Sequence, residues 1–169
     1  MYDISHLTGR FTLRSGQVTD EYFDKFRFTA DPALLGSIAD AMATLLAPEI
    51  QGLAGLELGG VPVAAALALR TGVPATYVRK ARKAYGTQKI AEGGDIAGRR
   101  VVVIEDVVST GGQIVLSTAD LRAEGAFVTT ALTVIDREMG GSEALAAIGV
   151  ELRTLFTMGE LNRLAARTG

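Results

Sequence analysis

Residues 101–113 read Val101-Val102-Val103-Ile104-Glu105-Asp106-Val107-Val108-Ser109-Thr110-Gly111-Gly112-Gln113. An apolar run, Val101 to Ile104, meets two adjacent carboxylates, then a turn of small residues from Ser109 to Gly112, then a helical pattern. A continuous apolar run of this kind predicts a strand covered on both faces. Side chains alternate along a strand, so two neighbouring acids cannot both face one core. Glu105 and Asp106 are therefore expected at the strand's end, partly solvated, where they can accept hydrogen bonds from vicinal hydroxyls. The turn offers N–H groups and hydroxyls to a phosphate at the helix N-terminus. An acid pair in a surface loop is the competing reading; the apolar run before it and the Ser-Thr-Gly-Gly after it favour a sugar-phosphate site.

Working outward, strands and helices alternate. Phe11–Leu13 and Glu21–Asp24 can be short strands about a Ser15-Gly16 turn. Asp31-Pro32 has the form of a helix start, and Leu35, Ile38, Ala39, Met42, Leu45 and Leu46 keep helical spacing up to Pro48. Leu53–Leu58 is a strand ending in Gly59-Gly60, Pro62–Arg70 a helix, and Ala75–Arg79 a strand. After the Val101–Glu105 strand comes a helix with Ile114, Val115, Thr118 and Leu121 on one face and Gly125 as its stop. Phe127–Ile135 and Glu151–Phe156 read as strands, Ser142–Ile148 and Met158–Ala166 as helices. This order predicts an α/β fold with a parallel sheet covered on both faces, binding ligands at the carboxyl ends of its strands.

Residues 80–98 are polar, contain glycine and lack periodicity, as functional lids often do. The stretch opens Arg79-Lys80-Ala81-Arg82-Lys83-Ala84-Tyr85-Gly86-Thr87, and no acid occurs between Arg79 and Glu92. A solvated loop or a nucleic-acid patch are the plain alternatives. A basic lid beside a phosphate turn fits a pyrophosphate clamp better, because its charge would stabilise a polyanionic leaving group.

Composition narrows the classes further. The 169 residues fit one domain, and 48% apolar content supplies a core. A net charge of −2 argues against general nucleic-acid binding. Cysteine is absent, which removes disulfides, thiolate metal sites and a cysteine nucleophile. The single histidine, His6, has no nucleophile-elbow pattern near it and is expected as an exposed imidazole. Phe26, Phe28, Phe127 and Phe156 are expected in the core, with Met139 and Met158 packing. The start MYDISHLTGR lacks a secretory pattern, and the apolar stretch Gly52–Leu69 is interrupted by Glu57, glycines and Pro62. A cytoplasmic protein with no membrane partner is expected.

Residues 101–113 resemble the phosphoribosyl-pyrophosphate (PRPP) motif of type I phosphoribosyltransferases. Within that group, the strand ending Arg79-Lys80, followed by Lys83, Tyr85 and Gly86, resembles orotate phosphoribosyltransferases. So do Phe11-Thr12-Leu13-Arg14-Ser15-Gly16, Tyr22-Phe23-Asp24, the loop Leu56 to Pro62, and Asp136-Arg137-Glu138 with Gly140-Gly141. The segments run in the family's order over most of the chain. Arg14 stands where the family usually has Lys, Ala81 and Ala84 replace acids common in the lid, and Leu58-Gly59 replaces an aromatic-Lys pair.

The resemblance implies one phosphoribosyltransferase domain over 1–169, with a Rossmann-like parallel-sheet core, an N-terminal hood at roughly 1–30 and a catalytic lid at roughly 80–95. It implies magnesium-dependent transfer of ribose 5-phosphate from PRPP to N1 of orotate. It also implies a homodimer in which each lid reaches the neighbouring site. By position, Lys83, Asp106 and Glu105 would be catalytic. Arg79, Lys80, Lys83, Tyr85, Gly59, Gly60 and the run Glu105, Asp106, Val107, Val108, Ser109, Thr110, Gly111, Gly112 and Gln113 would bind PRPP. Arg14, Tyr22, Phe23, Ser109 and Arg137 would bind orotate, Arg137 facing its carboxylate. The Mg²⁺ would be held mainly through PRPP, with no firm protein ligand. A relative using uracil or a purine, and a PRPP-binding regulator, are the alternatives; Arg137 favours the anionic base over uracil, and the lack of an added DNA-binding domain disfavours the regulator.

Overall fold

The computed structural model describes residues 1–12, 16, 18–81 and 89–168. In chain order the elements are α1 (Tyr2–Ser5), β1 (His6–Thr12), β2 (Val18–Phe23), α2 (Lys25–Ala30), α3 (Pro32–Ala43), β3 (Gly52–Leu56), α4 (Gly60–Thr71), β4 (Ala75–Val78), β5 (Ala91–Glu92), β6 (Arg100–Val108), α5 (Gly112–Ala123), β7 (Phe127–Asp136), α6 (Gly141–Ala146), β8 (Glu151–Thr157) and α7 (Met158–Thr168). The main sheet has the order β5-β4-β3-β6-β7-β8, parallel throughout except for the edge strand β5. β1 and β2 form a separate antiparallel hairpin.

Alternation along the central strands builds two cores. Val101 and Val103 face one side with Ile114 and Leu121 of α5 and Leu145 of α6. Val102 and Ile104 face the other, against Phe28, Ile38, Met42, Val63 and Leu67 of α2, α3 and α4. Because both faces are covered, β3 and the first six residues after Arg100 in β6 are buried throughout. Asp31 starts α3 as expected, its carboxylate accepting the Leu34 N–H at 2.8 Å.

The chain winds outward in opposite directions from the β3–β6 pair. β3 leads through α4 to β4 on one side, and β6 leads through α5 to β7 and β8 on the other. Diverging connections leave a crevice at the carboxyl ends of these two strands, where ligands of such sheets bind.

Four sequence expectations are corrected. β6 does not stop at Glu105: it pairs with β7 as far as Val108↔Asp136, so the acid pair lies inside the strand and is buried. The polar stretch after Arg79 contains β5, and Ile90, Ala91 and Ile96 join the core, because pairing with β4 covers an otherwise open sheet edge. The expected lid, roughly 80–95, therefore overlaps β5 at its far end, and its residues 82–88 lie outside the described residues. Phe28 is core, but Phe26, Phe127 and Met139 are exposed: Phe26 borders a cleft, Phe127 opens β7 at the sheet's rim and Met139 sits in the turn after β7. His6 is partly covered, stacked on Tyr2 with ring centroids 4.9 Å apart and 3.3 Å from Glu21.

Candidate active site

Two connections meet at the crevice. After β3, Glu57 and Leu58 form its wall, joined by a cis peptide bond, and Gly59-Gly60 start α4. These glycines answer a steric demand: a β-carbon on Gly60 would collide with the Ile104 carbonyl, and one on Gly59 with the Asp106 carboxylate. After β6, Ser109 to Gly112 turn into α5, with Gly111 in the left-handed region at φ 74°. The free N–H groups of the first turn of α5 and its positive dipole end face the cleft, a favourable place for a phosphate.

The resulting cleft measures about 580 Å³. Its walls are Glu57 and Leu58, Lys80 from the end of β4, Lys25 and Phe26 from α2, Glu105, and the run Val107 to Ile114. A second cavity of about 250 Å³ adjoins it, lined by Tyr22, Phe23, Lys25, Val107, Ser109 and Arg137. Lys25, Val107 and Ser109 belong to both, so the two spaces share a wall.

The acid pair sits beneath this junction. β3 last pairs with β6 at Gly55↔Ile104. Beyond that point Glu105 Oε1 accepts the Asp106 N–H at 3.0 Å, and Asp106 Oδ1 accepts the Val107 N–H at 2.7 Å. Asp106 Oδ1 also accepts from Lys25 Nζ at 2.9 Å, while Oδ2 is buried without a hydrogen bond, lying against Gly59. Burial, with the neighbouring Asp106 adding to it through a hydrogen bond and charge repulsion, pushes the Glu105 carboxyl up to about 9. At neutral pH Glu105 is therefore a carboxylic acid that can donate one hydrogen bond and accept another.

The family model for the phosphoribosyl transferase domain matches residues 29–146. An orotate phosphoribosyltransferase of a Nocardioides species is 52% identical over 159 residues, covering 94% of this chain and 89% of that protein. The chain belongs to the orotate phosphoribosyltransferase family. Among solved structures, Mycobacterium tuberculosis orotate phosphoribosyltransferase with Fe(III) dicitrate superposes with a TM-score of 0.85 at 35% identity, covering 94% of this chain and 93% of that one. The same enzyme in complex with PRPP gives 0.81 at 31% identity, covering 95% and 93%.

As a member of the orotate phosphoribosyltransferase family, the chain brings most of the residues expected from sequence to one place. Glu105 and the run Val107 to Gln113 line the larger cleft with Lys80. Tyr22, Phe23, Ser109 and Arg137 line the smaller cavity. Four expected residues stand elsewhere. Asp106 is fully buried and borders neither space, since the β3–α4 turn covers it; Gly59 and Gly60 are buried against β6. Arg79 leans away from the cleft to Glu92, 3.4 Å distant, beside a separate cavity lined by Tyr77 and Val61. Arg14, Lys83 and Tyr85 lie outside the described residues.

Sequence reasoning missed Lys25, and it gave Glu57 and Leu58 no role of their own beyond the resemblance of their loop. Lys25 follows Asp24 in the aromatic segment Tyr22-Phe23-Asp24-Lys25-Phe26. A cation directly after a helix-capping Asp, flanked by aromatics, is the signal that could have found it. Glu57 was visible as the one charge in an apolar run, and its Oε2 accepts the Lys80 N–H at 3.2 Å, tying the two rims of the cleft together.

Proposed function

We propose that this protein transfers ribose 5-phosphate from PRPP to N1 of orotate, giving orotidine 5′-monophosphate and pyrophosphate in pyrimidine nucleotide synthesis. The observation that carries the reading is the pair of adjoining spaces. A cleft built on a Ser-Thr-Gly-Gly turn at a helix N-terminus shares a wall with a small cavity holding Arg137 and Lys25. One suits a sugar phosphate, the other a flat anionic base.

In this reading the 5-phosphate sits on the turn Ser109 to Gly112, against the start of α5. Glu105 meets the ribose hydroxyls from below. Orotate lies between Tyr22, Phe23 and Val107, its carboxylate toward Arg137. The bond from C1′ to the pyrophosphate oxygen breaks as N1 of orotate closes on C1′, and positive charge spreads over the ribose ring. The N1 proton of orotate leaves to the departing pyrophosphate or to water as the bond to C1′ forms, so catalysis is mainly positioning and charge compensation. Lys80 faces the leaving-group end of the cleft, and Lys83 and Tyr85 from the lid are assigned to the same task.

A magnesium ion belongs to the reading. Among the described residues no three acidic or imidazole side chains converge to hold one, and Glu57 is the exposed acid at the leaving-group end of the cleft. That donor set fits an ion held mostly by pyrophosphate and water oxygens. When bound, it supplies charge neutralisation on the departing pyrophosphate. A homodimer in which each basic lid reaches the neighbouring site, and a cytoplasmic location, complete the proposal. No helix among the described residues is long and apolar enough to cross a membrane.

The test is direct. The protein is mixed with PRPP, Mg²⁺ and orotate, and loss of orotate absorbance is followed with uracil and hypoxanthine alongside. Orotate-dependent release of pyrophosphate is expected. Turnover with a neutral base in preference to orotate would replace the substrate assignment.

A further inference from the structure

Among the described residues Lys25 is the one cation that borders both spaces. It is the first residue of α2, and the preceding Asp24 caps that helix by accepting the Phe26 N–H at 3.1 Å. From there the side chain crosses to the sheet and places Nζ 2.9 Å from Asp106 Oδ1. The pair is lopsided in exposure: the Asp106 side chain is fully buried, the Lys25 side chain 36% exposed. An ammonium carries three N–H donors. Among the described residues Asp106 is the acceptor it reaches, so donors remain for a ligand in the space that Lys25 shares with Arg137.

Resting on the reading of the smaller cavity as an orotate site, we propose that Lys25 is a specificity-determining residue: tethered by Asp106, its remaining donors recognise the anionic oxygens of the base together with Arg137.

The physical case has two parts. Arg137 is exposed just after β7, so solvent screens part of its charge and leaves room for a second cation to add to the discrimination. Lys25 is held in one place by a buried carboxylate before the ligand arrives, so less side-chain freedom is lost on binding. The lining of the smaller cavity also suits an anion: among its described residues two are cations, Lys25 and Arg137, and none is an acid.

The experiment is calorimetric titration of the full chain with orotidine 5′-monophosphate and with uridine 5′-monophosphate, which differ by the base carboxylate. The preference between them is an internal ratio that a merely structural defect does not move. Wild type is expected to prefer the orotidine nucleotide by about tenfold or more, Lys25→Gln to lose most of that preference, and Lys25→Arg to retain it within about threefold. If wild type shows no preference, the orotate reading itself fails. If wild type shows it and Lys25→Gln keeps it in full, the role of Lys25 is overturned while the orotate reading stands. Removing one partner of a buried ion pair can unfold a protein. A second comparison therefore sets the doubly neutral variant Lys25→Met/Asp106→Asn against Asp106→Asn alone. A lower preference in the double variant supports the proposal, and an equal preference sinks it.

Discussion

Gly59 lies so close to the carboxylate of Asp106 that a β-carbon on it would occupy the space of Oδ2. The turn after β3 thus closes directly over the acid pair in β6, and the fold brings together residues 47 positions apart (106 minus 59) without a side chain between them. Gly59 has φ −72°, which any residue tolerates, so the demand for glycine here is steric alone. Gly59→Ala is expected to displace Asp106 with its Lys25 partner and to lower kcat/KM for PRPP by about tenfold or more, with far-UV circular dichroism unchanged. Wild-type kinetics in this variant would mean that the turn moves freely and that the contact has no functional weight.

Glu105 sets a pH dependence of stability whose sign is fixed. In the folded protein its carboxyl is raised from 4.5 to about 9 by burial first, then by Asp106. Between those values the folded state holds a proton that the unfolded chain releases. Stability is therefore fully present on the acid side and is lost as pH rises through the window toward about 9. Glu105→Gln stays neutral throughout and is expected to lack this loss. Urea unfolding of both proteins across the window reads the difference; parallel curves would show that Glu105 is ionised in the folded state.

Arg137→Ala should raise the KM for orotate by about tenfold or more while changing the KM for PRPP much less, because Arg137 borders the smaller cavity and not the larger. Steady-state kinetics with each substrate varied in turn gives the answer. An equal rise in both constants would move Arg137 out of the base pocket.

Lys83 lies outside the described residues, and its prediction rests on the basic run and the family pattern. Lys83→Ala is expected to lower kcat on the order of a hundredfold, with PRPP affinity changed less, since the charge proposed for it to compensate develops only as pyrophosphate leaves. Single-turnover rates and PRPP titration separate the two effects. Near-normal turnover removes the lid role.

Arg122 stabilises the fold away from the site. Its guanidinium donates to the Val128 carbonyl at 3.2 and 2.6 Å and to the Ile148 carbonyl at 3.0 Å, linking α5 to β7 and to the turn before β8. Arg122→Met keeps most of the stem but leaves both carbonyls without this donor. A loss of about 2 kcal/mol in urea unfolding is expected, with kcat/KM of the folded protein unaltered. A loss below about 0.5 kcal/mol would show that water replaces the guanidinium without penalty.

The order of elements was legible in the sequence because it is written in local periodicity. The Asp31-Pro32 start of α3, the apolar runs of β3 and β6, and the small-residue turn Ser109 to Gly112 each act within a few residues of themselves. The family pattern then gathered the turn, Glu105, Tyr22, Phe23 and Arg137, which the fold brings to one crevice. What sequence could not decide depended on contacts across the chain. β6 runs past Glu105 because β7 offers it partners as far as Asp136. Asp106 is buried, against the expectation of a solvated strand end, because Lys25 arrives from α2 to share its charge and Gly59 leaves room for it. Arg79 leaves the cleft because β5 brings Glu92 beside it. A charge can be buried only where its partner is supplied, and that partner is 81 residues away in sequence and 2.9 Å away in space.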